Sequence, residues 1–462
     1  MTVTSTSSAA SANGSSVDHL LAVADRIIGE ALPGEQVEAV VVNESETEVR
    51  VYEGEIESFT SSKSQGFGIR VIADHRQGFA YAGSLDEGVI AETLQEARDN
   101  ATFGTADDQL GMAEPDGRPI IDLGLFNEAV ASFPNEAKIK MALDLEKAVL
   151  ASDSRIIGAE SSDFNDSVSE AVVVTNTGIR VAGRDSGSYV MTSVLAAEGD
   201  DTQTGFGFSV GRDPADLDIE RAAADAVDRA TRLLGASKPA TERVTIVFDP
   251  FVTAQFLSII GGTLSGERVL KGRSLFADRL GDTVASSMIT LIDDPTNVKA
   301  FTANEADGEG LATRRNVLIE DGQLNMFAQN AYTARRSGTT STASAVRGYS
   351  STPGVGSVAL SLVPGDRAQD ELIAGIDNGI LVQGVAGLHS GVNPVSGDFS
   401  TGAEGLRITN GALGEPLREF TIASTLQKML LDVVEVGGDI EWLPMSAAGL
   451  SLVVNDVTVS GD

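Results

Sequence analysis

The chain has 462 residues, of which 33 are basic and 67 acidic, giving a net charge of −34 at neutral pH. This length suits two or three domains with sizeable cores, and so acidic a surface argues against direct binding of nucleic acid or of an anionic membrane. The chain contains no cysteine, which excludes disulfides, thiol catalysis and thiolate metal sites together.

The first elements follow a small, polar N-terminal stretch at 1–16. It has no basic start and no apolar core of a secretory signal, and no later apolar run reaches the ~18 residues of a membrane helix, so we expect a disordered tail and a cytoplasmic protein. Apolar residues at helical spacing predict a helix over 17–34, ended by a Pro-Gly pair. Two strands with a polar turn at 43–46 and a hairpin over 66–81 are predicted next.

Two helical patterns and a β-rich segment complete the first half. The pattern "DEGVIAETLQEARDNATF" predicts one helix, and "NEAKIKMALDLEKAVLAS" predicts another with Asn135 as its N-cap. Alternating residues over 156–210 predict strands, with turns at 176–178 and 185–187. A long amphipathic helix is then expected to end at Gly235, and "SKPATERV" resembles a linker.

The second half is rich in glycine and in short strand patterns. Two helices are predicted there, "FVTAQFLSIIGGTL" and "TIASTLQKMLLDVVEVGG", the second capped by Thr421 and ended by the glycines at 437–438. We therefore predict an α+β fold: a disordered tail at 1–16, an N-terminal mixed α/β domain at 17–236, and a β-rich, sandwich- or barrel-like C-terminal domain at 237–462.

The residues by themselves show no metal site. His19, His75 and His389 are far apart in the sequence. Catalytic zinc needs about three protein ligands, and a local pair of histidines usually supplies the core of such a site. The stretch "NEADGEG" resembles part of a calcium loop but lacks the spacing and the closing glutamate, so it is predicted to be a turn.

One loop contains the letters of a catalytic triad. His389 lies in "GLHSGVNPVSGDFSTGAEG", close to Ser390 and Asp398. Triads are recognised by geometry, and three members within about a dozen residues would be unusual. The alternative is an ordered loop whose polar side chains satisfy its own backbone.

Several stretches resemble the TldD/TldE family, whose TldE member is also called PmbA. They are "GFGIRVIADHRQGFAYAGSLDE", "VVVTNTGIRV", "LKGRSLFADRLGDTVASSMITLIDDP", "ADGEGLATRRNVLIEDGQLNMFAQN" and "GLHSGVNPVSGDFSTGAEGLRITNGALGEP". Together they span nearly all of the chain from about Leu20 onward, and their order makes the resemblance specific.

In that family the TldD-type subunit carries a His-Glu-x-x-x-His motif on a helix and a C-terminal Cys as zinc ligands. The zinc polarises the scissile carbonyl and activates water, with the glutamate as general base. The matching positions here are Ser258 for the first histidine, Ile259 for the glutamate and Thr263 for the second histidine. Hydroxyls are poor zinc ligands and isoleucine cannot take a proton. The resemblance is therefore to the TldE side, and it implies a metal-free, non-catalytic subunit without a cofactor.

The resemblance also implies a partner and a substrate. A TldE-like chain is expected to form a heterodimer with a TldD-type zinc-binding subunit that processes or degrades peptides or unfolded polypeptides. The residues expected to line the peptide chamber or the interface are Ser258, Gly262, Thr263, His389, Ser390, Asn393 and Asp398. Two alternatives remain open: a stand-alone hydrolase that uses the His389 loop, and a homodimeric peptide-binding protein.

Overall fold

The computed structural model describes residues 16–461. The tail predicted at 1–16 therefore lies outside the described residues except for Ser16, which begins the first helix. No helix in the described part is long and apolar enough to cross a membrane. Helices and sheets occur in both halves of the chain, which confirms the predicted α+β class.

The first half is built on one six-stranded sheet. Its strands are β1 (Gln36–Tyr52), β2 (Glu55–Ala73), β3 (Arg76–Ala82), β4 (Ile156–Thr175), β5 (Arg180–Glu198) and β6 (Asp201–Gly211). Its helices are α1 (Ser16–Gly29), α2 (Glu87–Phe103), α3 (Glu128–Ala131), α4 (Asn135–Ser152) and α5 (Ile219–Thr231). The strand order is β3-β2-β1-β4-β5-β6, with every neighbouring pair antiparallel, and the sheet curves into a half barrel.

Helices cover only one face of this sheet. Val37, Val41 and Val49 of β1 point to that face and join the cores formed with α1, α2, α4 and α5. At β6 the glycines Gly205 and Gly207 let α5 lie directly on the strand, since a Cβ would come within 2.2 Å of a backbone oxygen of α5 at the first and 1.9 Å at the second. We call the opposite, helix-free side the concave face.

The second half contains a closed barrel. Its strands are β7 (Glu242–Phe248), β8 (Leu291–Asp293), β9 (Asn316–Glu320), β10 (Gln323–Leu324), β11 (Ala345–Val346), β12 (Gly354–Val355), β13 (Leu360–Leu362), β14 (Asn378–Ala386), β15 (Asp398–Thr409), β16 (Ala412–Thr425), β17 (Val433–Val436) and β18 (Leu452–Ser460). Its helices are α6 (Pro250–Thr263), α7 (Gly266–Leu270), α8 (Ala331–Ser337), α9 (Gln369–Ile373), α10 (Leu388–Gly391) and α11 (Leu426–Leu431).

Five strands close this barrel in the order β16-β15-β14-β7-β18, because β16 also pairs with β18. β7 and β14 are parallel neighbours, whereas the other pairs of the barrel are antiparallel. The predicted β-rich, barrel-like second half is confirmed. The segment between α5 and β7 remains our proposed domain boundary.

Two turns predicted in the first half are wrong. The polar residues at 43–46 lie inside the unbroken strand β1, which is paired on both sides, and the chain reverses at Glu53 and Gly54. The residues at 185–187 lie inside β5, where the glycine makes room for the ring of Phe301. At 43–46 and 185–187 the chain continues as a strand, and alternate residues of both stretches lie on the concave face. The turn predicted at 176–178 is confirmed.

Several helix boundaries also differ from the prediction. Helix α1 ends at Gly29, ahead of the Pro-Gly pair at 33–34. Asn135 is the first residue of α4 rather than its N-cap, and α5 stops short of Gly235. In the second half α11 is capped by Thr425, whereas Thr421 lies in β16. The valines that seemed to extend this helix form β17 at 433–436, because they pair with β18.

Candidate functional site

Helix α6 lies at the centre of the candidate site. Asp249 caps it by accepting a hydrogen bond from the N–H of Phe251 at 3.1 Å, and the same carboxylate is 2.8 Å from Arg229. Most of α6 is buried in the barrel core. A half-buried stripe, which we call the α6 stripe, runs along the remaining face and comprises Phe251, Gln255, Ser258, Ile259 and Gly262. Their spacing places all five on one side of the helix.

The α6 stripe faces the concave face of the sheet. The ring of Phe251 lies 4.6 Å from that of Phe206 and 6.4 Å from that of Phe208, measured between centroids. Both rings belong to β6, on the side opposite the glycines that contact α5. The space between the α6 stripe and the concave face is called the chamber below.

Two of the three residues predicted on α6 belong to the chamber side. Ser258 and Gly262 are members of the α6 stripe, and the hydroxyl of Ser258 donates to the carbonyl of Ala254 at 2.9 Å. Thr263 is 0% exposed, and its hydroxyl donates to the carbonyl of Ile260 at 2.6 Å. Thr263 therefore points into the protein core, away from the chamber.

The predicted loop after β14 lies at the same end of the barrel as the start of α6. Because β7 and β14 are parallel neighbours, their carboxyl ends share one edge of the sheet, and α6 and α10 follow directly from those ends. The structure thus places α10 and the start of α6 at one end of the barrel, whereas Ser258, Gly262 and Thr263 lie further along α6. The loop residues are all exposed: His389, Ser390, Asn393 and Asp398.

These loop residues do not form a catalytic triad. The hydroxyl of Ser390 donates to a backbone carbonyl at 3.2 Å, and Asp398 accepts from the hydroxyl of Ser396 at 2.6 Å. Across residues 16–461, no hydrogen bond connects His389 to either of them. Asn393 accepts hydrogen bonds from the backbone of its own turn. The contacts match an ordered loop that satisfies its own polar groups.

A partly open cavity of about 620 Å³ lies between the concave face and loops of the second half. Its sheet side includes the apolar residues Val40, Val42, Ala171, Val173 and Val181 but also the charged residues Glu44, Arg184 and Asp185. Its loop side, which we call the polar wall, carries Asp293, Asn304, Asp307, Ser344 and Tyr349 among apolar residues such as Val346 and Val358. A cavity lined by both apolar and polar groups suits a ligand that has both kinds of surface.

Two buried aspartates on the polar wall have raised pKa values. Asp293 is 1% exposed, and burial raises its pKa to about 6 although it accepts hydrogen bonds from two backbone N–H groups. Asp307 is 7% exposed, and burial together with the charge of Glu309 raises its pKa to about 7. Each carboxyl therefore holds its proton to a higher pH than an exposed aspartate does, a property that is common at functional sites.

A buried network of four charges fixes the sheet to the loops beside the cavity. Arg70 of β2 donates to Glu38 of β1 at 3.0 and 2.8 Å, and it lies 3.5 Å from Glu309. Arg347, whose side chain is 2% exposed, also bonds Glu38. Burial by itself would raise the pKa of Glu38, but the charges of Arg70 and Arg347 bring it below its usual value. The network therefore adds ion pairs between the two halves of the chain to the apolar cluster that Ala113 and Ile179 form with Leu311, Ala331 and Ala343.

Sequence reasoning missed the carboxylates of the cavity wall. Asp307 lies within "NEADGEG", which was predicted only as a turn, and the carbonyl of Asp307 does close a turn with the N–H of Gly310 at 2.9 Å. Asp293 ends a short apolar run, "LID". The signal that could have revealed Asp293 as a buried carboxylate was its position directly after an apolar run.

Comparison with known proteins gives one consistent result. Three family models match in succession: PmbA/TldA metallopeptidase domain 1 at 37–101, the central domain at 128–234 and the C-terminal domain at 241–461. The metalloprotease PmbA of Escherichia coli O157:H7 is 28% identical over 412 residues, which cover 88% of each chain. A metalloprotease PmbA homolog of Haemophilus influenzae is 27% identical over 447 residues, covering 93% of each chain.

Solved structures agree. TldE from Thermococcus kodakarensis is similar with a TM-score of 0.87 and 25% identity, covering 97% of this chain and 100% of that chain. A proposed modulator of DNA gyrase from Bacteroides thetaiotaomicron has a TM-score of 0.87 and 26% identity, covering 96% of this chain and 99% of that chain.

Proposed function

Because the chain belongs to the PmbA/TldD metallopeptidase family, we propose that it is the metal-free, non-catalytic subunit of a cytoplasmic peptide-cleaving assembly. Its partner in this proposal is a TldD-type subunit that carries the zinc and forms a heterodimer with it. The chain itself forms one wall of the peptide chamber and stabilises the TldD-type subunit. The substrates are peptides or unfolded polypeptides.

The chemistry of α6 is the observation that carries the proposal. At the positions where the zinc motif of the family would lie, the chain has Ser258, Ile259 and Thr263. The two hydroxyls donate to carbonyls of the helix itself, and the isoleucine carries no proton acceptor. Zinc in catalytic sites is held by imidazole, thiolate or carboxylate, so these residues do not fit the metal. The neutral α6 stripe instead offers a surface along which a peptide can lie.

The test compares the purified chain alone with the chain mixed with a TldD-type family member that retains its histidines. The isolated chain is expected to cleave no unstructured peptide and to hold no stoichiometric zinc after dialysis. Size-exclusion chromatography of the mixture at micromolar concentration should show a hetero-complex, and peptide cleavage should depend on that complex. One tightly bound zinc per isolated chain in elemental analysis would refute the proposal.

One variant and one measurement of oligomeric state separate the remaining candidates. His389→Ala, purified without a partner, tests the stand-alone hydrolase, because that reading needs His389; the residue is exposed and forms no triad with Ser390 or Asp398. Cleavage by the isolated wild-type chain that this variant loses would instead support the stand-alone hydrolase. A dimer of this chain that binds peptides and ignores the TldD-type subunit would support the homodimeric binding protein.

A further inference from the structure

The concave face extends beyond the cavity, and the part lined by the two rows of side chains described next is called the groove. Residues opposite one another on antiparallel strands point to the same face, so the strand pairings define rows of side chains across the sheet. One row consists of Thr60, Glu48, Asn165, Tyr189 and Val210. The next consists of Ser58, Arg50, Asp163, Met191 and Phe208. These rows run from the β2 side of the sheet to the aromatic residues beside α6.

One wall of the groove is acidic. Glu46 and Glu48 of β1 are exposed, and in the part of the chain that the structure describes neither carboxylate has an ion pair or a hydrogen bond. The nearby cation Arg50 is already paired with Asp163 at 2.8 Å. Burial raises the pKa of Tyr189, and the charges of Glu48, Asp163 and Glu46 raise it further, which shows that these carboxylates act on the floor of the groove.

The other wall is aromatic and aliphatic. Met191 is 39% exposed although it lies on an inner strand of the sheet. Phe206 and Phe208 stack with centroids 6.5 Å apart, and Phe251 of the α6 stripe packs on both. Arg229 covers the far side of Phe206 at 4.9 Å from its centroid. The rings are half-buried, so their free edges line the chamber.

We propose that this groove binds extended peptides in which a basic side chain stands two positions from an aromatic or aliphatic one. The basic group lies against Glu46 and Glu48, and the apolar side chain lies against Met191 and Phe208. Two strand spacings, roughly 10 Å, separate β1 from β5, and the row of Met191 lies two residues, about 7 Å, along the strands from the row of Glu48, so the two backbone positions are about 12 Å apart. Residues two positions apart in an extended peptide are about 7 Å apart, and the length of a basic side chain covers the rest. Acidic peptides are repelled by the same unpaired carboxylates.

This inference rests on the proposed function and names the substrate class of its chamber. The chamber side of the chain supplies two carboxylates that have no ion pair among the described residues, and it supplies a half-buried apolar surface nearby. A positive charge on the ligand neutralises the carboxylates, and an apolar side chain of the ligand covers the apolar surface. A charge preference therefore comes from this chain, even though the bond is cut by the partner.

Binding is measured by fluorescence anisotropy with the full chain and three capped peptides of about six residues. The first contains Lys and, two positions on, Phe; the second has Glu in place of Lys; the third has Gly in place of Phe. The Lys–Phe peptide is expected to bind roughly tenfold more tightly than the Glu–Phe peptide at about 0.05 M salt, with the ratio shrinking at about 0.5 M.

Variants assign the effect to the groove. The double variant Glu46→Gln/Glu48→Gln should lose most of the Lys-over-Glu preference but keep the Phe-over-Gly preference. Met191→Ala should weaken both Phe-containing peptides several-fold. The matched control is Glu92→Gln/Glu96→Gln, which removes two exposed charges from α2 on the opposite side of the sheet and should behave as wild type. All altered side chains are exposed, and thermal unfolding verifies that each variant folds.

Three outcomes would overturn the inference: equal binding of the Lys–Phe and Glu–Phe peptides, equal binding of the Phe and Gly peptides, or an equal loss in the α2 control. Failure of this inference about the groove can be distinguished from failure of the proposed function. Cleavage by the hetero-complex without any charge preference removes only the groove proposal. Selective binding by a chain that never associates with a TldD-type subunit leaves the groove and removes the proposed assembly.

Discussion

Replacing Arg70 by methionine removes the cation that two buried carboxylates share. Arg70 is 3% exposed, and its guanidinium lies 2.8 Å from Glu38 and 3.5 Å from Glu309. In the variant Glu38 keeps its pairing with Arg347. Glu309 keeps the backbone N–H of Ala331 at 2.8 Å and the more distant charge of Arg335, but it loses its ion pair with Arg70. The variant therefore leaves a buried carboxylate without its ion-pair partner.

The expected loss in the free energy of unfolding is about 4 kcal/mol near neutral pH. Removing one partner of a buried ion pair costs ~3–5 kcal/mol, since the remaining charge has neither water nor counterion. Methionine retains most of the apolar stem of arginine, so little packing is lost. Burial already raises the pKa of Glu309, and without Arg70 it rises further. A carboxyl with a raised pKa stabilises the fold less as pH rises, so the loss should be smaller near pH 5 than near pH 7.

Urea unfolding of wild type and Arg70→Met at about pH 7 and about pH 5 measures both effects. The matched control is Arg26→Met, because Arg26 pairs with Glu87 at the surface, with side chains 50% and 81% exposed. An exposed pair contributes ~0–1 kcal/mol. A loss for Arg70→Met below about 1 kcal/mol, or one equal to that of Arg26→Met, would refute the assignment of Arg70 as a buried clamp between the two halves.

Adjacent glycines of α6 should respond in opposite ways in the same unfolding assay. Gly262→Ala meets no atom within 4 Å and should stabilise the helix by up to ~1 kcal/mol. In Gly261→Ala the Cβ would lie 2.3 Å from Cδ1 of the buried Leu360, and the variant should lose ~1–3 kcal/mol; equal effects would contradict the placement of α6. Burial and the charge of Glu309 raise the pKa of Asp307 to about 7, so its contribution to stability is present below about pH 4 and is lost as pH rises to about 7. The stability difference between wild type and Asp307→Asn should therefore narrow over that range, and a constant difference would argue against the raised pKa. A chelator should leave the melting temperature of the isolated chain unchanged, because no folding energy depends on metal, whereas a fall of several degrees would reveal a structural ion.

The spacing of apolar residues in the sequence located the helices and strands whose pattern depends only on residues close together in the chain. The helices α1, α2 and α4 and the hairpin of β2 and β3 were predicted from spacing within a few residues. The resemblance to the TldD/TldE family also came from the sequence, and the three family models support it. The neutral character of α6 followed from the residues at Ser258, Ile259 and Thr263 alone, since side-chain chemistry does not depend on the fold.

The site itself was decided by contacts between distant parts of the chain. Arg70 meets Glu38 across 32 residues and Glu309 across 239 residues. Neither ion pair produces a recognisable pattern in the sequence around its residues. The same holds for the pairing of β16 with β18 that closes the barrel.

Sequence by itself thus determined the class of the fold, the family, and the lack of zinc-binding side chains on α6. Only the tertiary structure decided which face each residue occupies. The acidic run at 43–46 was predicted as a turn because polar residues favour turns in isolation. In the folded chain that run is the middle of a strand whose open side lines the chamber. A polar side chain on a strand is stable where its face of the sheet meets water or a ligand. Which face does so depends on the curvature of the sheet, and that curvature depends on all the strands together.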